Sequence, residues 1–224
     1  MIIKGDEENL KVSFTVDNMV KLTFLSEGGN VVKYITFDDF VGAILAAQHK
    51  EDKVITENIT PILPPNTIQY MELTNGGYII VIKKDKCNID IEYGDKIYKK
   101  VGIPTLLFAF RMYQDTLQEG YVVSVKDKII NADTPIYFYP FSNVFKDTHI
   151  CWGNKLPTFP DVLYISNIAD MFLSMPNSSH NYGFNSSGLE YRPLLESLEG
   201  KIFDESILLS MNMTYSEWIS SIIN

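Results

Sequence analysis

The stretch PFSNVFKDTHICWGN, residues 140–154, places one cysteine, Cys151, in an aromatic, turn-rich run. Asn143 lies eight residues upstream of this cysteine, and Asp147 and His149 lie between the two. A thiolate is the nucleophile of cysteine chemistry, and an asparagine amide can donate a hydrogen bond to a developing oxyanion. These residue types are the ones that a reactive thiol with an amide donor beside it would require.

The composition is that of an ordinary globular protein. Of the 224 residues, 46% are hydrophobic and 21% are charged, which supplies enough apolar mass for a packed core. No apolar run approaches the roughly 20 residues that span a bilayer. The start of the chain, MIIKGDEENL, becomes acidic at once, unlike a signal peptide. We therefore expect a cytoplasmic protein with no membrane partner.

The net charge and the cysteine count exclude several classes of site. A net charge of −9 argues against nucleic-acid binding, because neutralising phosphates requires a basic face. Two cysteines, Cys87 and Cys151, are too few for a disulfide scaffold. No zinc-binding spacing joins them to the histidines, which are His49, His149 and His180. We expect no metal site.

The first 50 residues predict a small β-rich unit. Alternating or β-rich runs predict strands over residues 10–16, 20–24 and 31–37. Thr36 then suits the N-cap of a helix, because acidic residues follow it in the first turn. One face of that helix carries Phe40, Ile44 and Leu45. The proline-rich segment 51–66 predicts a linker.

Residues 67–224 predict a second, larger domain. Strands are expected over residues 67–73, 78–84, 88–93, 96–101, 105–112, 121–125 and 135–140. Helical segments are expected over residues 166–175, 189–200 and 204–211. A capping-box pattern from Thr214 to Glu217 precedes a last helix. Short connections favour antiparallel neighbours, so the fold class is α+β, a β-meander with C-terminal helices.

The quoted stretch resembles the active-site loop of E2 ubiquitin-conjugating enzymes. In that family a β-meander leads into His-Pro-Asn, then valine and, after a short gap, Asp-Gly-x-Ile-Cys. Here Asn143 and Cys151 have the same spacing, and Val144, Asp147 and Ile150 fall at the matching positions. The ICWGN ending resembles a bacterial E2-like family, prokaryotic E2 family D, which includes PRTRC-system protein B.

Two other segments are similar to that family, and three positions differ from the E2 pattern. The similar segments are the strand PTLLF at 104–108 and the helix ADMFLSM at 169–175. The positions that differ hold Phe141 for histidine, Ser142 for proline and Thr148 for glycine. The resemblance implies an E2-like, UBC-fold domain over residues 67–224.

The resemblance also implies a function as a transferase. Cys151 would accept a ubiquitin-like modifier as a thioester from a ThiF/E1-like activating enzyme and pass it to an amine, with Asn143 as the oxyanion donor. His149, Asp147 and Trp152 would support the site. No cofactor is needed on this chain, because the activating enzyme consumes the ATP. The modifier and the activating enzyme are the expected partners, and a JAB-type metallopeptidase is a further candidate.

Three other interpretations stay open at this point. Cys151 could be a buried core thiol, and Trp152 a core side chain. An E2-shaped scaffold could bind a modifier without forming a thioester, which the departures at the histidine and glycine positions favour. A thiol hydrolase could pair Cys151 with His149, since alternate residues of an extended segment share a face. Asp161 and Asp170 are the candidates for orienting the amine by position.

Overall fold

The computed structural model describes residues 2–4, 9–15, 17, 19–26, 29–48, 60–114, 116–153 and 162–223. The chain divides into two compact units, residues 1–59 and 60–224. Their boundary falls within the predicted linker 51–66, of which residues 51–59 lie outside the described residues. The role of that segment as a linker therefore stays a prediction.

The described part of the N-terminal unit is an antiparallel meander followed by a helix. Its strands, in sheet order, are β1 (Ile2–Lys4), β2 (Asn9–Phe14), β3 (Met19–Ser26) and β4 (Gly29–Thr36). Apolar alternation predicted β2 and β3, and a β-rich run predicted β4, but β1 was missed. Val16, which was expected to extend β2, lies outside the described residues.

Helix α1 (Phe37–Gln48) follows the meander, and Thr36 is its N-cap, as the sequence predicted. The backbone N–H of Asp39 donates to Thr36 Oγ1 at 3.1 Å, which satisfies one of the free donors at the start of the helix. Phe40 contacts Phe14 with ring centroids 6.1 Å apart. Ile44 and Leu45, which were expected to share a face with Phe40, are exposed.

The second unit is built on one antiparallel sheet. Its described strands and helices are β5 (Thr67–Glu72), β6 (Tyr78–Lys84), β7 (Cys87–Tyr93), β8 (Lys96–Ile103), β9 (Thr105–Tyr113), β10 (Thr116–Val125), β11 (Pro135–Tyr137), α2 (Ser166–Leu173), α3 (Tyr191–Leu198), β12 (Ser210–Thr214) and α4 (Tyr215–Ile223). In the described residues, six strands form this sheet in the order β12-β11-β10-β9-β6-β5. The α+β fold class predicted from the sequence is confirmed.

The meander is interrupted by a hairpin that leaves the sheet. β6 pairs with β5 and β9, whereas β7 and β8 pair with each other. The side chains of β6 explain why this strand lies inside the sheet. Residues 79–82 are all buried, so both faces of β6 must be covered by other parts of the protein. The strand β7 instead alternates between exposed and less exposed residues, which suits a hairpin with one face in the core.

Apolar clusters cover both faces of the sheet. On one face, Ile80, Phe108 and Val122 pack with side chains of α2 and α3. The neighbouring residues along the same strands, such as Leu107 and Val123, point to the other face and pack with side chains of α4. The sheet therefore lies between helices, and the loop that follows β11 can contact both layers. Among the described residues, no helix is long and apolar enough to cross a membrane.

The prediction for residues 204–211 was wrong in part. Residues Glu205–Ile207 form a 3-10 turn, but Ser210 begins β12 at the edge of the sheet, opposite Tyr137 of β11. A short apolar run cannot by itself distinguish a helix from a strand. The capping box of α4 is confirmed, since Thr214 N–H donates to Glu217 Oε2 at 2.7 Å and Glu217 N–H donates to Thr214 Oγ1 at 3.4 Å. The hydrogen bonds that the Thr214 N–H and hydroxyl donate to the Glu217 carboxylate lower the pKa of Glu217.

Gly102 lies where β8 passes another segment of backbone. A Cβ atom at this position would lie 2.5 Å from Lys201 O and 2.6 Å from Phe203 N. Because backbone must move to make room, we expect Gly102→Ala to reduce the free energy of unfolding of this unit by about 2 kcal/mol. Denaturant unfolding followed by tryptophan fluorescence measures this, because both tryptophans lie in residues 60–224.

Gly42, in α1, is the matched control for this substitution. A Cβ atom there would meet nothing within 4 Å. Gly42→Ala should therefore not lower the midpoint of the fluorescence transition. A Gly102→Ala protein with the wild-type midpoint would contradict the close approach of β8 to residues 201–203.

Candidate active site

Residues 143–151 fold back on themselves as a short hairpin that brings Asn143 beside Cys151. The backbone N–H of Cys151 donates to the carbonyl oxygen of Asn143 at 2.8 Å. One step inward, Val144 and Ile150 form an antiparallel bridge. The spacing of eight residues thus has a physical meaning, since it is the length that returns the chain to Asn143. We call residues 143–151 the cysteine hairpin.

The tip of the cysteine hairpin is a β-turn. Thr148 N–H donates to Phe145 O at 2.9 Å, which closes the turn. Asp147 is exposed, and its Oδ1 accepts from the backbone N–H of His149 at 3.2 Å. This is the local bond that aspartate makes in turns, so Asp147 supports the shape of the hairpin. Thr148 has φ +73°, the left-handed conformation for which glycine is the usual residue.

The cysteine hairpin extends the sheet along the edge of β10. Ile150 N–H donates to Gly120 O at 2.7 Å, and Val122 N–H donates to Thr148 O at 3.0 Å. The strand β11 pairs with β10 at Ser124, so the hairpin occupies a part of the edge that β11 does not reach. Sheet hydrogen bonds therefore fix the returning arm of the hairpin just before Cys151.

The side chain of Asn143 is fixed by a hydrogen bond to a residue that follows α2. Its φ is +67°, a conformation that asparagine tolerates better than most residues. Its Nδ2 donates to Pro176 O at 3.0 Å, just after α2. An amide nitrogen carries two hydrogens, and the second has no hydrogen-bond acceptor among the described residues. The side chain is thus oriented by one bond and retains one donor.

The residues at the histidine and proline positions of the E2 pattern support the hairpin in another way. Phe141 is fully buried, and its ring packs at a tilt against Tyr139, with centroids 5.5 Å apart. Ser142 is buried too, and its hydroxyl donates to Asn177 Oδ1 at 2.8 Å. Asn185 Nδ2 donates to Pro140 O at 3.2 Å. Packing and the segment after α2 therefore fix the approach to Asn143 without a histidine.

The two thiols differ in their surroundings. Cys151 and Cys87 are both free and half-buried. Cys87 is the first residue of β7, and it lines a cavity of about 360 Å³ together with Lys84 and Asp170. Burial raises the pKa of Cys87, although the charge of Lys84 opposes this effect. Cys87 is therefore disfavoured as a thiolate, and it provides a natural control for the reactivity of Cys151.

His149 makes a stacking contact with a tyrosine. Its ring lies 4.9 Å from the ring of Tyr121, with 20° between the planes. Burial and the hydrogen bond to Glu119 raise the pKa of Tyr121 to about 12. Among the described residues, the side chain of His149 makes no hydrogen bond, so none joins it to Cys151. The contacts of His149 thus favour a supporting role over that of a base paired with the thiol.

Trp152 packs tightly against the sheet. Its ring meets Phe172 of α2 edge-on, with centroids 5.9 Å apart. A Cβ atom on Gly120 of β10 would lie 3.0 Å from Trp152 Cζ2 and Nε1. The edge of the indole therefore faces a position where a side chain is absent, in the residue directly after Cys151. Trp152 therefore packs between β10 and α2, beside Cys151 in the chain.

We expect Gly120→Ala to move Trp152 and disturb the residue next to it. An added methyl group needs the indole to shift by a few tenths of an ångström, so the change in stability should be about 1 kcal/mol. The tryptophan emission maximum, to which both Trp152 and Trp218 contribute, should change. Gly42→Ala in the same otherwise wild-type chain serves as the control, and an unchanged spectrum for Gly120→Ala would contradict the close contact.

Of the two acidic candidates for orienting an amine, Asp170 alone lies in the described part of the chain. Asp161 lies outside the described residues, as does His49. Asp170, on α2, forms an ion pair with Lys84. Within the described ranges, no group of three or more His, Cys, Asp or Glu residues could hold a metal ion.

The family comparison covers strands β5 to β11, the cysteine hairpin and α2, but not β12. The family model for prokaryotic E2 family D matches residues 43–187, more than half of the 224 residues. No curated protein and no solved structure matches the chain. The matched range includes the whole of residues 140–154, on which the resemblance rested. The chain therefore belongs to prokaryotic E2 family D.

Proposed function

We propose that this protein is an E2-like carrier of a ubiquitin-like modifier. Cys151 accepts the modifier as a thioester from a ThiF/E1-like activating enzyme and passes it to an amine. The observation that carries the proposal is the cysteine hairpin, in which the N–H of Cys151 donates to Asn143 O at 2.8 Å. Membership of prokaryotic E2 family D supports the same assignment.

Each transfer is an exchange of bonds at one carbonyl carbon. The Cys151 thiolate attacks the thioester on the activating enzyme, a new sulfur–carbon bond forms, and the thiolate of that enzyme leaves. In the second step an amine nitrogen attacks the Cys151 thioester and loses a proton, and Cys151 leaves as a thiolate. Cysteine suits such a relay because its thiolate is both a strong nucleophile and a good leaving group.

Asn143 has the role of stabilising the oxyanion in both steps. Its bond to Pro176 O fixes the side chain, and the second N–H is available for the negative oxygen of the tetrahedral intermediate. Because the amide is oriented before the substrate arrives, little reorganisation is needed during the reaction. Asp147, His149 and Trp152 support the hairpin that holds the pair.

The partners follow from the same proposal. A ubiquitin-like modifier and its activating enzyme are required, and the activating enzyme consumes the ATP, so this chain uses no cofactor. A JAB-type metallopeptidase, which would remove or process the modifier, is a further candidate partner.

A second candidate function is that of an E2-fold scaffold that binds a modifier without a covalent bond. Two observations favour it. The Asn143 amide is engaged with Pro176 O, and Cys151 is half-buried. In this case the hairpin would be a structural remnant of the E2 fold.

A charging experiment separates the two functions. The full chain is incubated with ATP, a ThiF/E1-like activating enzyme and a ubiquitin-like modifier of the same organism, and the products are separated on non-reducing gels. The carrier gives an adduct that a thiol reductant removes. The scaffold gives a complex on size exclusion but no adduct, although the activating enzyme itself is charged.

A further inference from the structure

The C-terminal helix contacts the cysteine hairpin through a buried hydrogen bond. Trp218, on α4, donates its indole Nε1–H to Thr148 Oγ1 at 3.0 Å. Both side chains are buried, with 1% of Trp218 and 2% of Thr148 exposed. A buried hydroxyl that loses its partner keeps the penalty for its removal from water, so the bond constrains Thr148.

Thr148 is under backbone strain at the point where the turn joins the sheet. Its φ of +73° is unfavourable for a β-branched residue. Its N–H and C=O are bonded as well, to Phe145 O and to the N–H of Val122. Strain of this kind persists only where the surroundings enforce it. Here the backbone bonds and the indole of Trp218 together enforce it, three residues before Cys151.

The helix that carries Trp218 is itself attached to the sheet. Tyr215 OH donates to Gln69 Oε1 on β5 at 2.7 Å, and Arg111 on β9 donates to the carbonyl oxygen of Ile222. The helix therefore cannot easily move away from the hairpin. It also lies outside the range 43–187 that the family model matches.

We propose that Trp218 is a positioning residue for Cys151. By holding Thr148 in the left-handed conformation, it sets the direction of residues 149–151 and so places the Cys151 N–H on Asn143 O. Threonine at the glycine position of the E2 pattern and tryptophan on α4 then act as a complementary pair. The assignment of Cys151 as the carrier thiol rests on the proposed function, whereas the coupling of α4 to the hairpin does not.

The alternative role for Trp218 is packing alone, since it lies in the cluster on that face of the sheet. A rescue experiment distinguishes the two roles. Trp218→Phe keeps an aromatic ring but leaves the Thr148 hydroxyl without its donor. Thr148→Gly removes both the hydroxyl and the backbone strain, because glycine adopts positive φ readily. The double variant should therefore recover the order of the hairpin that Trp218→Phe loses. It should not recover the stability that Trp218→Phe loses because the indole no longer packs in the cluster.

The proteins to compare are the wild type, both single variants and the double variant, all with Cys87→Ala. Hydrogen exchange of the Ile150 and Cys151 amides and the pH profile of Cys151 alkylation by iodoacetamide report the hairpin. Thermal unfolding reports overall stability. We expect Trp218→Phe to speed exchange at both amides about tenfold or more, and the double variant to restore the wild-type rate.

The proposal would be overturned if the effects of Trp218→Phe and Thr148→Gly on amide exchange simply added in the double variant. Unchanged exchange in the Trp218→Phe protein would also overturn it. If that protein does not fold, Thr148→Val tests the same bond, because it removes the hydroxyl and keeps the shape of the side chain. Charging by the activating enzyme is measured in parallel. A wild-type protein that is not charged, but shows the coupled exchange, would refute the carrier function and leave the positioning role intact.

Discussion

Replacing Cys151 with alanine is expected to abolish the modifier adduct. Replacing Cys151 with serine is expected to change the kind of bond that joins the modifier to this chain. Alanine has no nucleophile, so no bond to the modifier can form. Serine would give an oxyester, which a thiol reductant does not cleave as it does a thioester. The adduct should therefore be absent in Cys151→Ala and resistant to reductant in Cys151→Ser, on non-reducing gels with and without dithiothreitol.

Cys87→Ala is the matched control for the loss of a thiol. Cys87 is also free and half-buried, but burial raises its pKa. Its replacement should leave the adduct as strong as in the wild type. An adduct that survives in Cys151→Ala and disappears in Cys87→Ala would transfer the carrier role to the other thiol.

Asn143→Asp is expected to slow the transfer of the modifier from Cys151 to an amine. Aspartate has nearly the same shape and also tolerates positive φ, so the backbone of the hairpin can be retained. Its carboxylate offers no N–H to the oxyanion and adds a negative charge beside it. Loss of one such donor typically lowers the rate about 10²–10³-fold. Single-turnover discharge of the preformed thioester to free lysine measures this rate.

Asn212→Asp provides the control, because it makes the same chemical change at another left-handed position. Asn212 has φ +54° and lies on β12. Its replacement should not alter the discharge rate. If Asn143→Asp discharged as fast as the wild type, Asn143 would be a turn residue of the hairpin and not an oxyanion donor.

Local patterns were sufficient for most of the fold. The alternation in residues 10–14 and the β-rich runs on either side of the turn at 74–77 predicted strands that the structure contains. The N-cap at Thr36 and the capping box at Thr214 were also predicted, since each depends on residues within one helical turn. Such features need no knowledge of distant residues.

The pairing of strands could not be predicted in the same way. The apolar run 79–82 marks β6 as a strand covered on both faces, but it does not show that the second neighbour of β6 is β9 and not β7. Likewise, β12 forms because it adds to β11, which is more than 70 residues earlier in the chain. Tertiary pairing decides both cases.

The candidate site was likewise predictable where it depends on neighbouring residues and not where it depends on distant ones. The spacing from Asn143 to Cys151 was visible in the sequence, and the hairpin explains it. The groups that hold the hairpin were not visible, because they come from distant segments. Pro176 is 33 residues from Asn143, and Trp218 is 70 residues from Thr148. The closest sequence signal was the capping box, which predicted α4 but not its contact.

The most direct test of the proposed function is to locate the bond between the modifier and this chain. The non-reduced adduct is digested and the linked peptides are identified by mass spectrometry. The carrier function predicts the C-terminus of the modifier on Cys151, in a bond that hydroxylamine cleaves. A linkage to Cys87 or to a lysine, or no linkage although the activating enzyme is charged, would contradict it.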